Sequence, residues 1–295
     1  MNRGTVLVTG ASGVLGWSLC RFLSREGFEV IGTYNINGPD LSGVRFEQVA
    51  LEDEPSVLAL LKKVRPTAVV HAAAMTSPDD CEREPERCLA VNVTATRVIL
   101  ENCPAAVPVL LTSTDLVFDG LKGLYSEEDS PSPVNHYGRS KVMAENAVFE
   151  RSNSVVLRIA KLYSNGSPFH PCFTTWMEDR FERDEEVRLF EDQFRSPIWV
   201  GDVARAVARV LTQGIRASLY HLGGPDRLSR LEFGRAFAEV FGYDERLIRP
   251  IRSQEAGLVL RGSDCSLRSD LFYRDYGFVP SSLSEGLRAL KEGLS

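Results

Sequence analysis

Tyr137 and Lys141 stand four residues apart in Tyr137-Gly138-Arg139-Ser140-Lys141, a spacing that brings a phenol and an ammonium onto one face of a helix. An ammonium beside a phenol favours phenolate and lowers the phenol pKa, so the tyrosine can act as acid or base near neutral pH. Asn135, just upstream, suits the N-cap of such a helix. Earlier in the chain, Leu110-Leu111-Thr112-Ser113-Thr114-Asp115 turns an apolar run into hydroxyls. A hydroxyl there can hydrogen-bond a carbonyl or carbinol oxygen of a substrate. Proton transfer to oxygen is the chemistry these residues suit.

A second cluster could hold a cofactor. Gly10-Ala11-Ser12-Gly13-Val14-Leu15-Gly16 has the form G-x-x-G-x-x-G, directly after a β-rich run and at the start of an amphipathic one. Early glycines allow a tight turn and let the backbone approach a pyrophosphate, whose charge the helix N-terminus stabilises. The last glycine permits close packing of helix on strand. This context predicts a nicotinamide dinucleotide, NADP or NAD. The second strand ends in Gly32-Thr33-Tyr34-Asn35, with no acid for the adenine ribose and no arginine immediately after. The missing acid leaves nothing to repel a 2′-phosphate and tips the choice slightly toward NADP.

These groups need a scaffold, and the apolar periodicity predicts one. Thr5–Thr9 reads as a strand, Val14–Arg25 as a helix, Phe28–Thr33 and Val44–Val49 as strands, Glu54–Val64 as a helix and Ala68–His71 as a fourth strand. Helical pattern returns over Glu86–Asn102, then come a strand at Val107–Thr112, a helix at Asn135–Arg151 and a strand at Val155–Ile159. Strands alternating with helices predict an α/β fold, a doubly wound parallel sheet covered on both faces. Nearly continuous apolar strands fit that burial. The hydroxyls of Ser113 and Thr114 then fall at the strand ends, the edge at which open α/β sheets bind ligands. After Ser164 the alternation stops, with short helices expected near Val203–Thr212, Arg230–Phe241 and Ser284–Glu292. Residues 1–163 are therefore expected to form the dinucleotide-binding domain. Residues 164–295 form a smaller mixed substrate-binding lobe, interleaved with the first and closing over the sheet ends.

Bulk properties narrow the class. The 295 residues carry 34 basic and 40 acidic side chains, a net charge of −6. A nucleic-acid grip through phosphates would normally show a basic surplus, so no such partner is expected. The longest apolar runs are too short to span a bilayer, and no membrane partner is expected. Cys20, Cys81, Cys88, Cys103, Cys172 and Cys265 form no C-x-x-C pair, and His71, His136, His170 and His221 show no metal spacing, so no metal site is expected. Cys20 reads as a buried reduced thiol, and His71, at the end of a core strand, as structural. The amino terminus lacks the charged and apolar regions of a secretory signal, and a cytoplasmic location is expected.

With these residues in order, the chain resembles the extended short-chain dehydrogenase/reductase family, and within it the dTDP-4-dehydrorhamnose reductase-like branch. The residues that carry the resemblance are Thr9 to Gly16, Ala72-Ala73-Ala74, Val91-Asn92-Val93, Ser113 to Gly120 and Tyr137 to Lys141. It continues through Arg195-Ser196-Pro197-Ile198-Trp199-Val200-Gly201-Asp202-Val203-Ala204. The resemblance implies a Rossmann-type fold and a catalytic set of Thr114, Tyr137 and Lys141. Tyr137 would protonate the oxygen as hydride reaches carbon. Lys141 would depress its pKa and hold the nicotinamide ribose, and Thr114, in preference to Ser113, would hydrogen-bond the reacting oxygen. The cofactor would lie against Gly10, Ser12, Gly13, Val14, Leu15, Gly16, Ala72, Ala73, Ala74, Asn92, Tyr137 and Lys141. Asn92 matches the family's helix-kinking asparagine, and Ser113, Asp115 and Arg195 would meet the substrate. Three positions depart from the branch: Leu116 where Tyr is frequent, Lys161 where a substrate-stacking Trp is usual, and Ala50 where an Asp commonly contacts adenine.

Two functions from different classes follow. The first is an NAD(P)H-dependent reductase of a keto-sugar nucleotide, with epimerase chemistry available from the same core. Dehydratase chemistry typically adds an acidic pair after the hydroxyl, and Asp115-Leu116 does not supply it. The second is a non-catalytic NAD(P)-binding regulatory subunit, since the same branch includes the regulatory subunit of methionine adenosyltransferase. A homodimer is expected from the family alone.

Overall fold

The structure is a computed structural model and describes residues 3–294. Its first half runs β1 (Thr5–Thr9), α1 (Val14–Arg25), β2 (Glu29–Tyr34), β3 (Val44–Gln48), α2 (Glu54–Val64), β4 (Ala68–His71), α3 (Pro78–Arg83), α4 (Pro85–Leu89), a π-turn (Ala90–Thr94), α5 (Ala95–Asn102), β5 (Val109–Thr114), α6 (His136–Phe149) and β6 (Ser154–Ile159). Short strands β7 (Leu162–Tyr163), β8 (Val187–Phe190), β9 (Phe194–Arg195) and β10 (Ile198–Trp199) follow around α7 (Phe173–Glu182). The chain ends through α8 (Val200–Gln213), β11 (Leu219–Leu222), β12 (Leu228–Ser229), α9 (Arg230–Phe241), β13 (Ile248–Ile251), α10 (Asp270–Tyr276) and α11 (Leu283–Lys291).

Seven parallel strands form the central sheet in the order β11-β6-β5-β4-β1-β2-β3. Chain order reverses between β1 and β4, and this switch point opens a crevice at the carboxyl ends of the strands. Alternate β1 residues feed opposite layers. Val6 and Val8 join the core under α1 and α8, while Leu7 joins the core under α2, α5 and α6. Each such side chain, wholly removed from water, contributes about 1.5–3 kcal/mol. The alternation of strand and helix thus yields the expected doubly wound α/β architecture.

Residues beyond 164 interleave with this sheet. Helix α8 packs against α1, and β11 pairs with β6 through Leu219–Val156 to Leu222–Ile159, adding the seventh strand. A four-residue strand so far along the chain carries no alternation that would announce it. The remaining elements build a separate core from Tyr163, Met177, Phe181, Leu189, Phe233, Phe237 and Leu287. Within the span expected as one helix from Glu86 to Asn102, the chain forms α4, the π-turn and α5. The strand expected at Val107–Thr112 lies two residues later, at Val109–Thr114, because Pro108 can donate nothing to the ladder.

Candidate active site

The glycine turn is built as its sequence demands. Gly10 sits at φ +71°, and a Cβ there would come within 2.7 Å of Ala73 Cα. A Cβ on Gly16 would collide with the Gly10 carbonyl, so Gly16 seats α1 on the strand end. Gly13 differs. Its only close neighbour would be Gly10 O at 3.3 Å, so its outer side is open. Gly13 is also the N-cap of α1, with no side-chain cap and no acidic residue in the first turn. The free N–H groups and the open glycine face fit a dinucleotide diphosphate, with Ser12, Val14 and Leu15 at the same helix start. From the C-terminal region, Ser167 Oγ donates to Ser12 O at 2.6 Å and closes one side of the turn.

Behind the turn lies a directional hydrogen-bond chain that also orders Ala72 to Ala74. Thr9 Oγ1 accepts from the N–H groups of Ala72 and Ala73, each at 3.1 Å, so its hydroxyl proton goes to His71 Nδ1 at 2.7 Å. His71 then carries its proton on Nε2, which donates to Thr96 Oγ1 at 3.1 Å. Thr96 in turn donates to Asn92 O at 2.8 Å. Burial, reinforced by the charge of Lys141, pulls the His71 pKa down to about 3 and keeps the ring neutral. His71 is structural, as its strand-end position suggests, and its connecting role leaves no motif in the sequence.

Asn92, in the π-turn, is fully engaged. Its Oδ1 accepts from Met75 N at 2.8 Å, and its Nδ2 donates to Met75 O at 3.1 Å and Ser140 Oγ at 2.9 Å. Ser140 donates to Tyr137 O at 2.7 Å. The helix α6 begins where Asn135 Oδ1 accepts from Gly138 N at 2.8 Å. Tyr137 and Lys141 are both buried on the inner face of α6.

Ser113 and Thr114, adjacent on β5, face opposite ways. Thr114 lies with Tyr137: its hydroxyl acts to lower the phenol pKa, against the burial that dominates and raises it. The spacing alone suggests a phenol acidified by Lys141. In the folded chain, desolvation wins and the phenol holds its proton well above the usual range. Burial also draws Lys141 down to about 8, opposed by Glu145. Ser113 instead donates to Glu145, a buried carboxylate gripped by Arg158 at 2.7, 3.1 and 3.2 Å. Arg158 also stacks on Phe118 at 5.1 Å and faces His221 Nε2 at 3.4 Å.

Asp115 is buried with Arg195, whose Nε lies 3.5 Å from Asp115 Oδ2. The Arg195 guanidinium is otherwise directed at backbone carbonyls, donating to Phe194 O at 2.6 Å, Gly262 O at 2.9 Å and Ser263 O at 3.3 Å. Lys161 and Arg230 also act on Asp115, although burial leaves its pKa raised. Sequence reasoning noted Lys161 only as a departure and missed Arg230, which enters from the start of α9 with no motif around it. Among the described residues, no group of three or more His, Cys, Asp or Glu side chains is placed to hold a metal. No helix among them is long and apolar enough to cross a membrane.

Comparisons with known proteins place this geometry in context. The model of the RmlD substrate binding domain matches residues 4–294. A probable low-salt glycan biosynthesis reductase, Agl14 of Haloferax volcanii, is 33% identical over 246 residues, covering 82% of this chain and 81% of that protein. Methionine adenosyltransferase 2 subunit beta of Rattus norvegicus is 32% identical over 254 residues, covering 83% of this chain and 75% of that protein. The crystal structure of a hypothetical dTDP-4-dehydrorhamnose reductase from Sulfolobus tokodaii superposes with a TM-score of 0.83 at 30% identity, covering 97% of this chain and 99% of that one.

Proposed function

The chain belongs to the RmlD substrate binding domain family, and from that premise we propose that it is an NAD(P)H-dependent reductase of a keto-sugar nucleotide. The observation that carries the reading is the burial of Tyr137, Lys141 and Thr114 together at the carboxyl edge of the sheet, beside the glycine turn that fits a dinucleotide. The bound dinucleotide supplies the hydride. Tyr137, kept protonated by burial, gives its phenolic proton to the substrate oxygen as that oxygen gains charge. Lys141, charged at neutral pH, stabilises the phenolate left behind. Thr114 Oγ1 hydrogen-bonds the same oxygen and orients the carbonyl, while Ser113 holds Glu145 rather than substrate. The open end of β2, with no acid, supports NADP over NAD.

A second reading is favoured by one observation, the 32% identity to a methionine adenosyltransferase subunit over 83% of the chain. It is a non-catalytic NAD(P)-binding regulatory subunit. Oxidation of NADPH and NADH, followed by absorbance with a panel of keto-sugar nucleotides, separates the two. The reductase reading expects turnover that Tyr137→Phe reduces by about 100- to 10,000-fold with cofactor binding retained. Tight cofactor binding without reduction of any keto sugar in the panel supports the regulatory reading instead. Failure to bind either cofactor sinks both.

A further inference from the structure

The segment that follows β13 crosses from the C-terminal lobe to the helix that carries Tyr137. Gly257, at φ +60°, turns the chain out of a short 3-10 turn (Ser253–Ala256). Val259 N then donates to Asp79 Oδ1 at 3.0 Å, and the Arg261 guanidinium donates to Asp79 Oδ2 and, at 3.3 Å, to Val259 O. Between these two residues, Leu260 O accepts from Asn135 Nδ2 at 3.0 Å. Just beyond them, Gly262 O and Ser263 O accept from Arg195, the cation beside Asp115. Leu258 and Leu260 are 49% and 68% exposed, so polar bonds rather than apolar burial hold this strap. The bond from Val259 N, joined by the Arg261 charge and opposed by burial, keeps the Asp79 carboxyl below the usual carboxylate range.

Asn135 is where the strap meets the chemistry. The residue is wholly buried and both ends of its amide are engaged, Nδ2 on Leu260 O and Oδ1 on Gly138 N at 2.8 Å. An amide whose nitrogen is fixed has its oxygen fixed as well. Tyr137 lies inside the turn that this cap closes. Resting on the reductase reading, we propose that Asp79 and Arg261 are positioning residues for Tyr137. They hold residues 257–262 against the start of α6, so that the Leu260 carbonyl orients the Asn135 cap and the cap fixes the phenol in the cleft. The C-terminal lobe thereby sets the geometry of the proton donor on the dinucleotide-binding side. Asp79 has a second path to α6, since it stands in the first turn of α3, whose Glu82 accepts from His136 N at 2.8 Å. Arg261 lies on the strap, outside α3, and its variant separates the two paths.

The test follows hydrogen exchange by mass spectrometry in the full chain, over peptides spanning 135–141 and 257–262, with the sheet core at 109–114 as reference. Asp79→Ala and Arg261→Met are each expected to speed exchange by about fivefold or more in both peptides relative to the reference. The double variant is expected to match the faster single variant within about twofold, because both changes remove one contact. Arg261→Lys, which keeps the charge, is expected to return exchange close to that of the parent. With NADPH and dTDP-4-dehydrorhamnose, Arg261→Met is expected to lower kcat by about fivefold or more, with the KM for NADPH within about twofold of the parent. Faster exchange in 257–262 alone overturns the proposal, as the strap then opens without disturbing the cap. So does unaltered exchange in both peptides, or a matched rise at 109–114, which is general loosening. An effect of Asp79→Ala on 135–141 that Arg261→Met does not share assigns it to α3 and Glu82 and overturns the proposal too. An unchanged kcat in a variant with faster exchange at 135–141 does the same. Absence of turnover in the parent removes the reductase reading, and it is told apart from failure of the strap because the exchange measurement needs no substrate.

Discussion

Asn92 Nδ2 lies 2.9 Å from Ser140 Oγ, and this bond joins the π-turn to the helix that carries Tyr137 and Lys141. A π-turn adds a residue to the helical repeat, which swings the asparagine side chain out of register and toward α6. Replacing it with a leucine of similar size leaves Met75 N without a partner, while Met75 O keeps only Cys81 Sγ at 3.3 Å and Ser140 Oγ keeps only Tyr137 O. Asn92→Leu is expected to destabilise the fold by about 1–3 kcal/mol, the cost of one unsatisfied buried group. Chemical denaturation measures the stability. A reductase assay on the folded fraction is expected to show kcat lowered more than KM, because the asparagine touches the proton donor's helix and not the substrate. A variant of parental stability would show that these bonds are dispensable.

The three glycines of the turn divide into fold and cofactor roles. Gly16 has no room for a Cβ, whereas Gly13 has room on all sides but one. Gly16→Ala is expected to lower the melting temperature markedly through the clash with Gly10. Gly13→Ala is expected to leave the melting temperature within a few degrees while weakening NADPH binding by about 10-fold or more, as the methyl group occupies the diphosphate approach. Fluorescence titration of NADPH alongside a thermal scan checks both. Unaltered NADPH affinity in Gly13→Ala would move the diphosphate elsewhere.

Lys141 gives the stability curve a sign. Its pKa falls from 10.5 to about 8 in the fold, chiefly through burial. Between those values the unfolded chain binds more protons than the folded one, so stability rises with pH there. Below about pH 8 the cost of burying the ammonium is fully present. The whole effect is on the order of 3 kcal/mol. Lys161 shifts the same way, so the Lys141 share is isolated by comparison with Lys141→Met. From pH 8 to 10 the parent, free of cofactor, is expected to gain stability relative to that variant. Parallel curves would mean that Lys141 is not desolvated in solution.

Much of the positioning scaffold was legible because it is local. The bounds of β1, α1, α2 and β4 follow from apolar periodicity and from the residues that interrupt it. Asn135 was readable as a cap because capping is a contact over three residues. What escaped is set by distant chain. The strand β11 exists because β6 offers it an edge. Ser113 and Thr114 are equivalent as letters, and only Glu145, gripped by Arg158, decides which hydroxyl is turned away from Tyr137. Arg230 reaches Asp115 across 115 positions of sequence through packing on Phe173, a relation with no spacing to detect.

The Glu145–Arg158 pair carries the last expectation. Both side chains are almost wholly buried, at 1% and 2% exposure, and meet in a bidentate grip at 2.7 Å. The pair also holds Ser113, stacks on Phe118 and faces His221, whose pKa burial, reinforced by the charge of Arg158, draws down to about 3 against the bond from its Nδ1 to Tyr125 O, so the ring is neutral. Removing one partner strands the other charge without solvent, which costs about 3–5 kcal/mol. Glu145→Gln and Arg158→Met are each expected to lower stability by that order. The double variant Glu145→Leu/Arg158→Met should recover part of the loss, because no lone charge remains buried. Glu145 also raises the Lys141 pKa against burial. Its neutralisation should therefore move the alkaline limb of the activity profile to lower pH, a change that packing loss alone does not produce. Measuring kcat against pH for folded Glu145→Gln decides between a purely structural carboxylate and one that holds the lysine in its charged state.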